Sequence, residues 1–265
     1  MKNIFIIGNH SNWHCGSKAV IEYLYCIIKK NKLKLVDNSQ DADCVLVNGE
    51  GSLHHNGNDK FFKALSLKRK GKKVHLINSV WQNMNFRGME DIKELDTVCV
   101  RELISYNEIK HIRPDAKIFT DLSYFLPIKK PKMQRNETVV GGFFIRDFSR
   151  DSEWVNFTEE LRHINIKHYS SWQDYIEALS VAKLLISGFH HEIIAAIKLR
   201  IPFIAYRGNT DKVLGIIQRA EVNIPVATTP KELFFNMKSP VDEKEYDKLY
   251  NFVAAERPFN FADLN

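Results

Sequence analysis

The chain has 265 residues, of which 44% are hydrophobic and 26% charged, with a formal net charge of +6. This composition excludes a disordered or fibrous chain and suits one large domain or two of about 120 residues each. No stretch approaches the roughly 20 apolar residues that span a bilayer. The opening MKNIFIIGNH carries one lysine and an apolar run too short for a secretory signal, so a cytoplasmic protein is expected.

The four cysteines, Cys15, Cys26, Cys44 and Cys99, show no CxxC spacing, so neither a zinc knuckle nor a redox dithiol is indicated. Cys26, Cys44 and Cys99 sit in apolar runs and are expected to be buried; Cys15, in a polar loop, is the one thiol to watch. A basic chain attracts nucleic acid, anionic lipid or phosphorylated substrates. Outside KRKGKK (68–73) and IKKPK (128–132) the basic residues are dispersed and no nucleic-acid motif appears. A phosphorylated substrate or the inner membrane face fits equally well, and no nucleic acid partner is expected.

KNIFIIG (2–8) reads as a buried strand. A polar loop follows, then apolar residues at helical spacing from Ser17 to Lys29. DCVLVNGEGS (43–52) is a strand running into a Gly-rich loop, Phe61 to Arg69 a helix, and KVHLINSV (73–80) a strand. DTVCVRE (96–102) is a strand entering a helix, and AKIFTDLSYF (116–125) a last strand with a turn. PIKKPKMQRNET (127–138) breaks the rhythm with two prolines and several basic residues, and reads as a linker. Alternation then restarts: VVGGFFI (139–145) as a strand, helices over 154–163 and 172–182, KLLIS (183–187) as a strand, a helix over 190–198, IPFIAY (201–206) as a strand, and a helix over 211–219. A final helix over 244–255 is expected to pack back across the domains.

Strands alternating with helices imply parallel sheets covered on both faces. The expected fold class is α/β, with two Rossmann-like parallel-sheet domains facing a cleft: residues 1–127, a linker at 128–138, and residues 139–265. Ligands of such sheets bind beyond the carboxyl ends of the strands, so the loops that follow strands carry the candidates.

Four loops stand out. In GNHSNWHCGSKA (8–19), Asn9, Gly16 and Ser17 lead into a helix N-terminus, where backbone amides suit an anion; the bland alternative is a solvated loop with Ser17 as N-cap. In NGEGSLHHNGN (48–58), Gly49 and Gly51 flank Glu50 and let the backbone approach a ligand, with His54 and His55 at the start of the next helix. His55 as a mere helix cap is the plain reading.

In ISGFHHE (186–192), Gly188 permits a tight turn and His190, His191 and Glu192 open a helix. The helix dipole there disfavours imidazolium, so a neutral histidine is available as a base or donor, with Glu192 orienting the ring or answering the dipole. Adjacent residues point in different directions on a helix, so this triplet is not expected to hold a metal. In RGNTDKVLG (207–215), Asn209, Thr210 and Lys212 stand before and within a first helical turn, where a cation is better explained by an anionic ligand than by the dipole. Arg101, Asp121 and Arg146 lie at or just past strand ends and serve equally as ligand contacts or as salt bridges between domains.

Taken together, these segments resemble the polysaccharide pyruvyl transferase family. Asn12 through Gly16-Ser17-Lys18-Ala19 is similar to the family's N-x-G-D-E-A-like loop, and Asn48 to Ser52 to its G-G-G-S-like loop. Val100-Arg101-Glu102 through Ser105 matches V-R-[DE]-x-x-S, and Asp121 to Tyr124 resembles D-P-A-F. Best matched is Ser187 to His191, followed by Ala195-Ala196, Ile201-Pro202-Phe203 and Asn209 to Lys212; counted back from Pro202, His191 falls on the family histidine. Two positions depart: Phe189 stands where the family has arginine, and Ser17-Lys18 where it has an acidic pair.

The resemblance implies two Rossmann-like domains of GT-B type, 1–127 on the acceptor side and 139–265 on the donor side, no cofactor, and transfer of a pyruvyl group from phosphoenolpyruvate to a sugar as a ketal. His191 or His190 would be the acid or base, and Arg146, Arg101 and Lys212 would hold the anionic groups. Glycosyl transfer from a CMP-, UDP- or GDP-sugar stays open, with Glu50 or a histidine as the base. Either way the implied partners are a small-molecule donor and a glycan or lipid-linked glycan of bacterial capsule or lipopolysaccharide synthesis, with peripheral contact at the inner membrane face.

Overall fold

Two apolar runs of the N-terminal stretch, CVLVNGE (44–50) and TVCV (97–100), assemble as strands buried along their whole length, the pattern of a parallel sheet covered on both faces. A computed structural model describes residues 2–57, 59–84, 86–143, 152–239 and 241–264. The chain divides into two compact units. One comprises Met1–His10, Val20–Phe125 and Arg257–Asn265, the other Ser11–Ala19 and Leu126–Glu256.

In chain order the elements up to residue 125 are β1 (Asn3–Ile7), α1 (Cys15–Lys30), β2 (Lys34–Leu35), β3 (Cys44–Glu50), α2 (Asp59–Arg69), β4 (Lys73–Ser79), α3 (Phe86–Asp91), β5 (Thr97–Val100), α4 (Leu103–Ile109), β6 (Lys117–Ile118) and α5 (Leu122–Phe125). The first unit's sheet is wholly parallel, in the order β2-β1-β3-β4-β5-β6. Val45 and Val47, Val74 and Leu76, and Val98 and Val100 line one face, against Phe61, Leu65 and Trp81. Alternation along a strand forces this: residues two apart share a face.

From residue 137 onward the elements are β7 (Glu137–Val140), α6 (Ser152–Thr158), β8 (Arg162–His163), α7 (Trp172–Leu179), β9 (Ala182–Ser187), α8 (His190–Leu199), β10 (Phe203–Tyr206), α9 (Lys212–Arg219), β11 (Val226–Ala227), α10 (Pro230–Lys238) and α11 (Glu243–Ala255). Their sheet is also parallel, in the order β11-β10-β9-β7-β8. Its core gathers Val140, Ile186, Ile204 and Tyr206 beneath Trp154 and Leu233. Helix α8 is buried on nearly every side, only Lys198 among its residues escaping full burial. A helix apolar all round is a core helix, and here that burial carries His190, His191 and Glu192 inward with it.

Several expectations need correction. His54 and His55 do not open a helix: His54 forms an isolated bridge with Gln82, His55 has φ 49°, and α2 begins only at Asp59. Ser17 is not an N-cap. It is the third residue of α1, and its backbone N–H donates to Nδ1 of His14, which precedes the helix. The thiols are reversed: Cys15 is buried, with its pKa pushed up to about 12 by burial, while Cys26 is exposed. Glu50 belongs to β3 itself rather than to a loop.

Helix α11 packs within the second unit, where Tyr246 donates to the carbonyl of Phe203 and Arg200 reaches Asp247 and Asn251. The stretch that follows it, Arg257–Asn265, belongs to the first unit. The short strands β2, β8 and β11 give too little periodicity to be read from sequence; the pattern over 154–163 merges a helix with β8.

Arg101 and Asp121 lie just past the ends of β5 and β6, and both are buried in the first unit, where they form an ion pair. Next to Arg101, the Glu102 carboxylate caps α4, accepting from the backbone of Ile104 at 2.6 Å and of Ser105 at 2.9 Å, and from the side chain of Gln82 at 3.0 Å. The Ser105 hydroxyl in turn accepts from the backbone of Trp81. The V-R-E-x-x-S stretch is thus a capping device with an ion pair beside it. Asp121 serves similarly ahead of α5, accepting from the backbone and hydroxyl of Ser123.

Candidate functional site

Where the winding of an open parallel sheet reverses, the loops after two neighbouring strands leave to opposite faces and open a crevice at their carboxyl ends. In the first unit that point lies between β1 and β3. Gly8 follows β1 with φ 86°, and a Cβ there would stand 2.3 Å from the carbonyl oxygen of Asn48. Gly49 is equally constrained, a Cβ there lying 2.2 Å from Oγ of Ser79. These two glycines let the backbones close up, and the closure brings His10 and Glu50 together.

Nδ1 of His10 lies 2.8 Å from Oε2 of Glu50, both side chains almost fully buried. An ionised carboxylate only accepts, so the ring donates from Nδ1. Its Nε2 is then an acceptor, and it meets Nζ of Lys60, whose pKa burial lowers. Asn48 donates to the carbonyl of Gly8 at 3.0 Å and receives the amide of Asn78 at 3.3 Å. Glu50 and Asn78 both hold positive φ, 38° and 48°. Left-handed non-glycine residues cost free energy and gather where a side chain must be aimed. The result is a carboxylate–imidazole–ammonium series suited to moving a proton.

Asn9 is exposed beside buried His10, and Gly51 forms the turn that follows β3. His54 and His55 pair with each other at 2.8 Å between their Nδ1 atoms.

Gly49→Ala is expected to cost about 1–3 kcal/mol by overpacking. Because the shift moves Glu50, activity should fall further than stability, which urea melts and turnover measured on the same preparation will separate.

In the second unit the reversal lies between β7 and β9. Gly141 and Gly142 follow β7; Ser187, Gly188 and Phe189 lead from β9 into α8. The Glu192 carboxylate ties these loops together. It accepts from the backbone of Gly142 at 2.8 Å and of Ile166 at 2.8 Å, and from the hydroxyl of Ser187 at 2.6 Å. A Cβ on Gly141 would lie 2.0 Å from Oε2 of Glu192, and one on Gly142 2.2 Å from the Phe189 ring. Glu192 therefore positions loops, the role the sequence left open between ring orientation and helix dipole.

Burial pushes the Glu192 carboxyl up to about 7, against the pull of its three hydrogen bonds. A carboxyl with a raised folded pKa keeps its proton in the folded state after the unfolded chain has lost it. Stability then falls as pH rises from about 4.5 to 7 and levels off above. The shift corresponds to about 3 kcal/mol across that window. Urea midpoints of wild type should fall between pH 5 and pH 8 more steeply than those of Glu192→Gln; parallel profiles would contradict this.

His190 and His191 follow at the first turn of α8, each 5% exposed, ring centroids 5.4 Å apart. Phe189 offers that helix no side-chain cap. The His14 ring meets the His191 ring edge-on at 5.0 Å. A Cβ on Gly16 would lie 2.6 Å from Cβ of His191, so that glycine is what leaves room for the histidine. Lys167 holds its ammonium 5.0 Å from the centre of the Phe189 ring, a cation–π distance. Beyond β10, Lys212 is buried and donates to Oδ1 of Asn209 at 2.7 Å, with Thr210 buried between them in the chain. Arg146 lies outside the described residues.

The sequence reading passed over His10, His14, Lys60 and the glycine pair at 141–142. His10 and His14 sit in a loop already singled out, four residues apart; nothing local marks Lys60. Within either unit taken by itself, the described residues place no three histidine, cysteine or carboxylate ligand atoms together.

Two parallel-sheet α/β units, each with polar residues at its reversal point, define a two-domain transferase class. The chain belongs to the polysaccharide pyruvyl transferase family, whose sequence model matches residues 3–222. It is a transferase. No curated protein matches its sequence. Among solved structures it is similar to KP1_0663, a functionally uncharacterised protein from Klebsiella pneumoniae subsp. pneumoniae NTUH-K2044, with TM-score 0.61, 16% identity, and 86% of this chain and 93% of that one covered. Weaker likenesses are to the wall teichoic acid polymerase TagF (TM-score 0.47, 13% identity, 96% and 84% covered) and to an α-glucosyltransferase in complex with UDP (TM-score 0.47, 9% identity, 99% and 98% covered).

Proposed function

We propose that this protein transfers a pyruvyl group from phosphoenolpyruvate to a sugar of a bacterial cell-surface glycan, as a ketal. The observation that carries this reading is the placing of His191, the residue aligned with the family histidine, at the uncapped start of α8 beside the reversal point of its sheet. In the reaction the donor's methylene carbon takes a proton, C2 forms bonds to two sugar oxygens, its bond to the phosphate oxygen breaks, and inorganic phosphate leaves. One hydroxyl proton replaces the proton given to carbon and the other leaves with the phosphate.

His191 is suited to the proton transfer to carbon. The start of α8, Lys212 and Lys167 are suited to the donor's carboxylate and phosphate. Lys167 over Phe189 brings a cation to the position where the family carries arginine. His190, Gly188, Asn209 and Thr210 complete the candidate donor surface of the second unit.

Glycosyl transfer from a nucleotide sugar is the second reading. The His10–Glu50–Lys60 series favours it, since one oriented base is what a single attacking hydroxyl needs. A thermal-shift screen of phosphoenolpyruvate against CMP-, UDP- and GDP-sugars, followed by phosphate-release assays, decides between the two. Stabilisation by phosphoenolpyruvate with phosphate release in the presence of glycan supports the first; stabilisation by a sugar nucleotide alone sinks it.

No helix among the described residues is long and apolar enough to cross a membrane. We place the enzyme in the cytoplasm, in peripheral contact with the inner membrane face where a lipid-linked acceptor would lie. The exposed Lys29, Lys30, Lys32 and Lys34 beside exposed Tyr25 and Leu35 suit an anionic surface.

A further inference from the structure

The first unit's sheet gathers Ile7, Val45, Val47, Val74, Leu76, Val98 and Val100 on one face, and its other face is more polar. On the second face the strand register sets Ile4, Cys44 and Lys73 in one row, and Leu46, His75 and Thr97 in the next. Cys99 and Lys117 continue the polar stretch toward β6. Central strands of a parallel sheet are ordinarily apolar on both faces, so a polar patch in their first halves asks for a cause.

The stretch after α11 lies over this patch. The ring of Phe259 meets that of Phe119 at 5.9 Å, the Asp263 carbonyl accepts from Nζ of Lys117 at 2.7 Å, and Arg257 grips the Asp263 carboxylate at 2.6 and 2.9 Å. A cavity of about 600 Å³ remains between this stretch, the end of α1 and the sheet. Small-molecule pockets typically run from about 300 to 1,000 Å³.

Its lining has three kinds of residue. Ile4, Leu33, Phe261 and Leu264 are apolar walls. Lys2 and Lys73 are cations at the rim and have no ion-pair partner among the described residues. The Asp43 carboxylate, also at the rim, accepts from the backbone of Asn3 at 2.7 Å. His75 and Cys44 are buried beneath. His75 spends Nδ1 on the hydroxyl of Thr97 at 3.0 Å, and its Nε2 has no hydrogen-bond partner among the described residues. Burial holds its pKa down at about 4 and pushes that of Cys44 up to about 11, so both stay neutral at physiological pH. The strands place this cavity at their amino ends. At 3.3 Å per residue, Glu50 at the carboxyl end of β3 is about 20 Å from Cys44.

We propose that this cavity is a second ligand site, distinct from the reversal-point residues at the other end of the same sheet, and that it takes a small molecule with an apolar body and one anionic group. The anion sits between Lys2 and Lys73, the apolar body lies on Phe261 and Leu264, and His75 Nε2 hydrogen-bonds the end of the ligand that reaches the floor.

The probe is 8-anilinonaphthalene-1-sulfonate, which joins an aromatic body to a sulfonate, titrated by fluorescence into the full-length protein with circular dichroism confirming the fold. The expected result is saturable binding of one molecule, weakened at least about tenfold in the K2E/K73E double variant and in L264W, and unchanged in K231E, whose exposed lysine lies outside the cavity. If K2E/K73E does not fold, L264W decides, because it keeps both lysines and fills the apolar wall. Wild-type binding in L264W, or a loss in K231E equal to that in the double variant, overturns the proposal. Displacement of the probe by phenyl phosphate rather than benzoate assigns a phosphoryl ligand, and the reverse a carboxylate; displacement by neither overturns it.

Discussion

Exchange of His191 for alanine is expected to lower the rate of pyruvyl transfer by about 10²–10⁴-fold, the range that one positioned acid or base contributes. The expectation rests on where the ring is held. Gly16 leaves it space, the His14 ring packs against its edge, and α8 is buried around it. His190 shares the helical turn but points elsewhere, since successive helical residues are rotated by about 100°. His190→Ala should therefore cost much less than His191→Ala in phosphate release from phosphoenolpyruvate. Equal losses, or a His191→Ala enzyme of near wild-type rate, would remove His191 from the chemistry. His191→Gln, which keeps the volume, guards against a loss caused by the void alone.

Arg101→Ala is expected to destabilise the protein by about 3–5 kcal/mol, because it strands the buried Asp121 carboxylate without its cation. The double variant Arg101→Met/Asp121→Leu should recover most of that loss, since an apolar pair of similar volume is often no worse than a buried ion pair. Guanidinium chloride melts of wild type and both variants measure this. The sequence left Arg101 equally open as an anion ligand. An Arg101→Ala protein of wild-type stability with a raised KM for donor would restore that role and refute the structural one.

Much of the frame was legible in the residues. Apolar runs with helical segments between them gave the α/β class and the two parallel sheets, because burial on both faces writes itself into consecutive positions. Boundaries were less legible. The two-residue edge strands β2, β8 and β11 carry almost no pattern, and the α6–β8 stretch reads as one helix. Among the candidate residues, Gly49 was legible as a point of close backbone approach, because such an approach demands glycine locally. Partnerships were invisible: Lys60 stands far along the chain from His10, and Glu192 reaches Gly142 and Ile166 from a helix start that suggested a dipole partner.

The sequence by itself determined most of the longer strands and helices, that the chain forms parallel sheets, and which family it belongs to. These follow from properties of neighbours: periodicity, turn chemistry and short motifs. Only the tertiary structure decided that Glu192 ties loops together, that Arg101 is balanced by Asp121, that Cys15 is buried and Cys26 exposed, and that His10 joins Glu50. Each of these depends on strand order and register, which bring together residues remote in the chain and which no local pattern records.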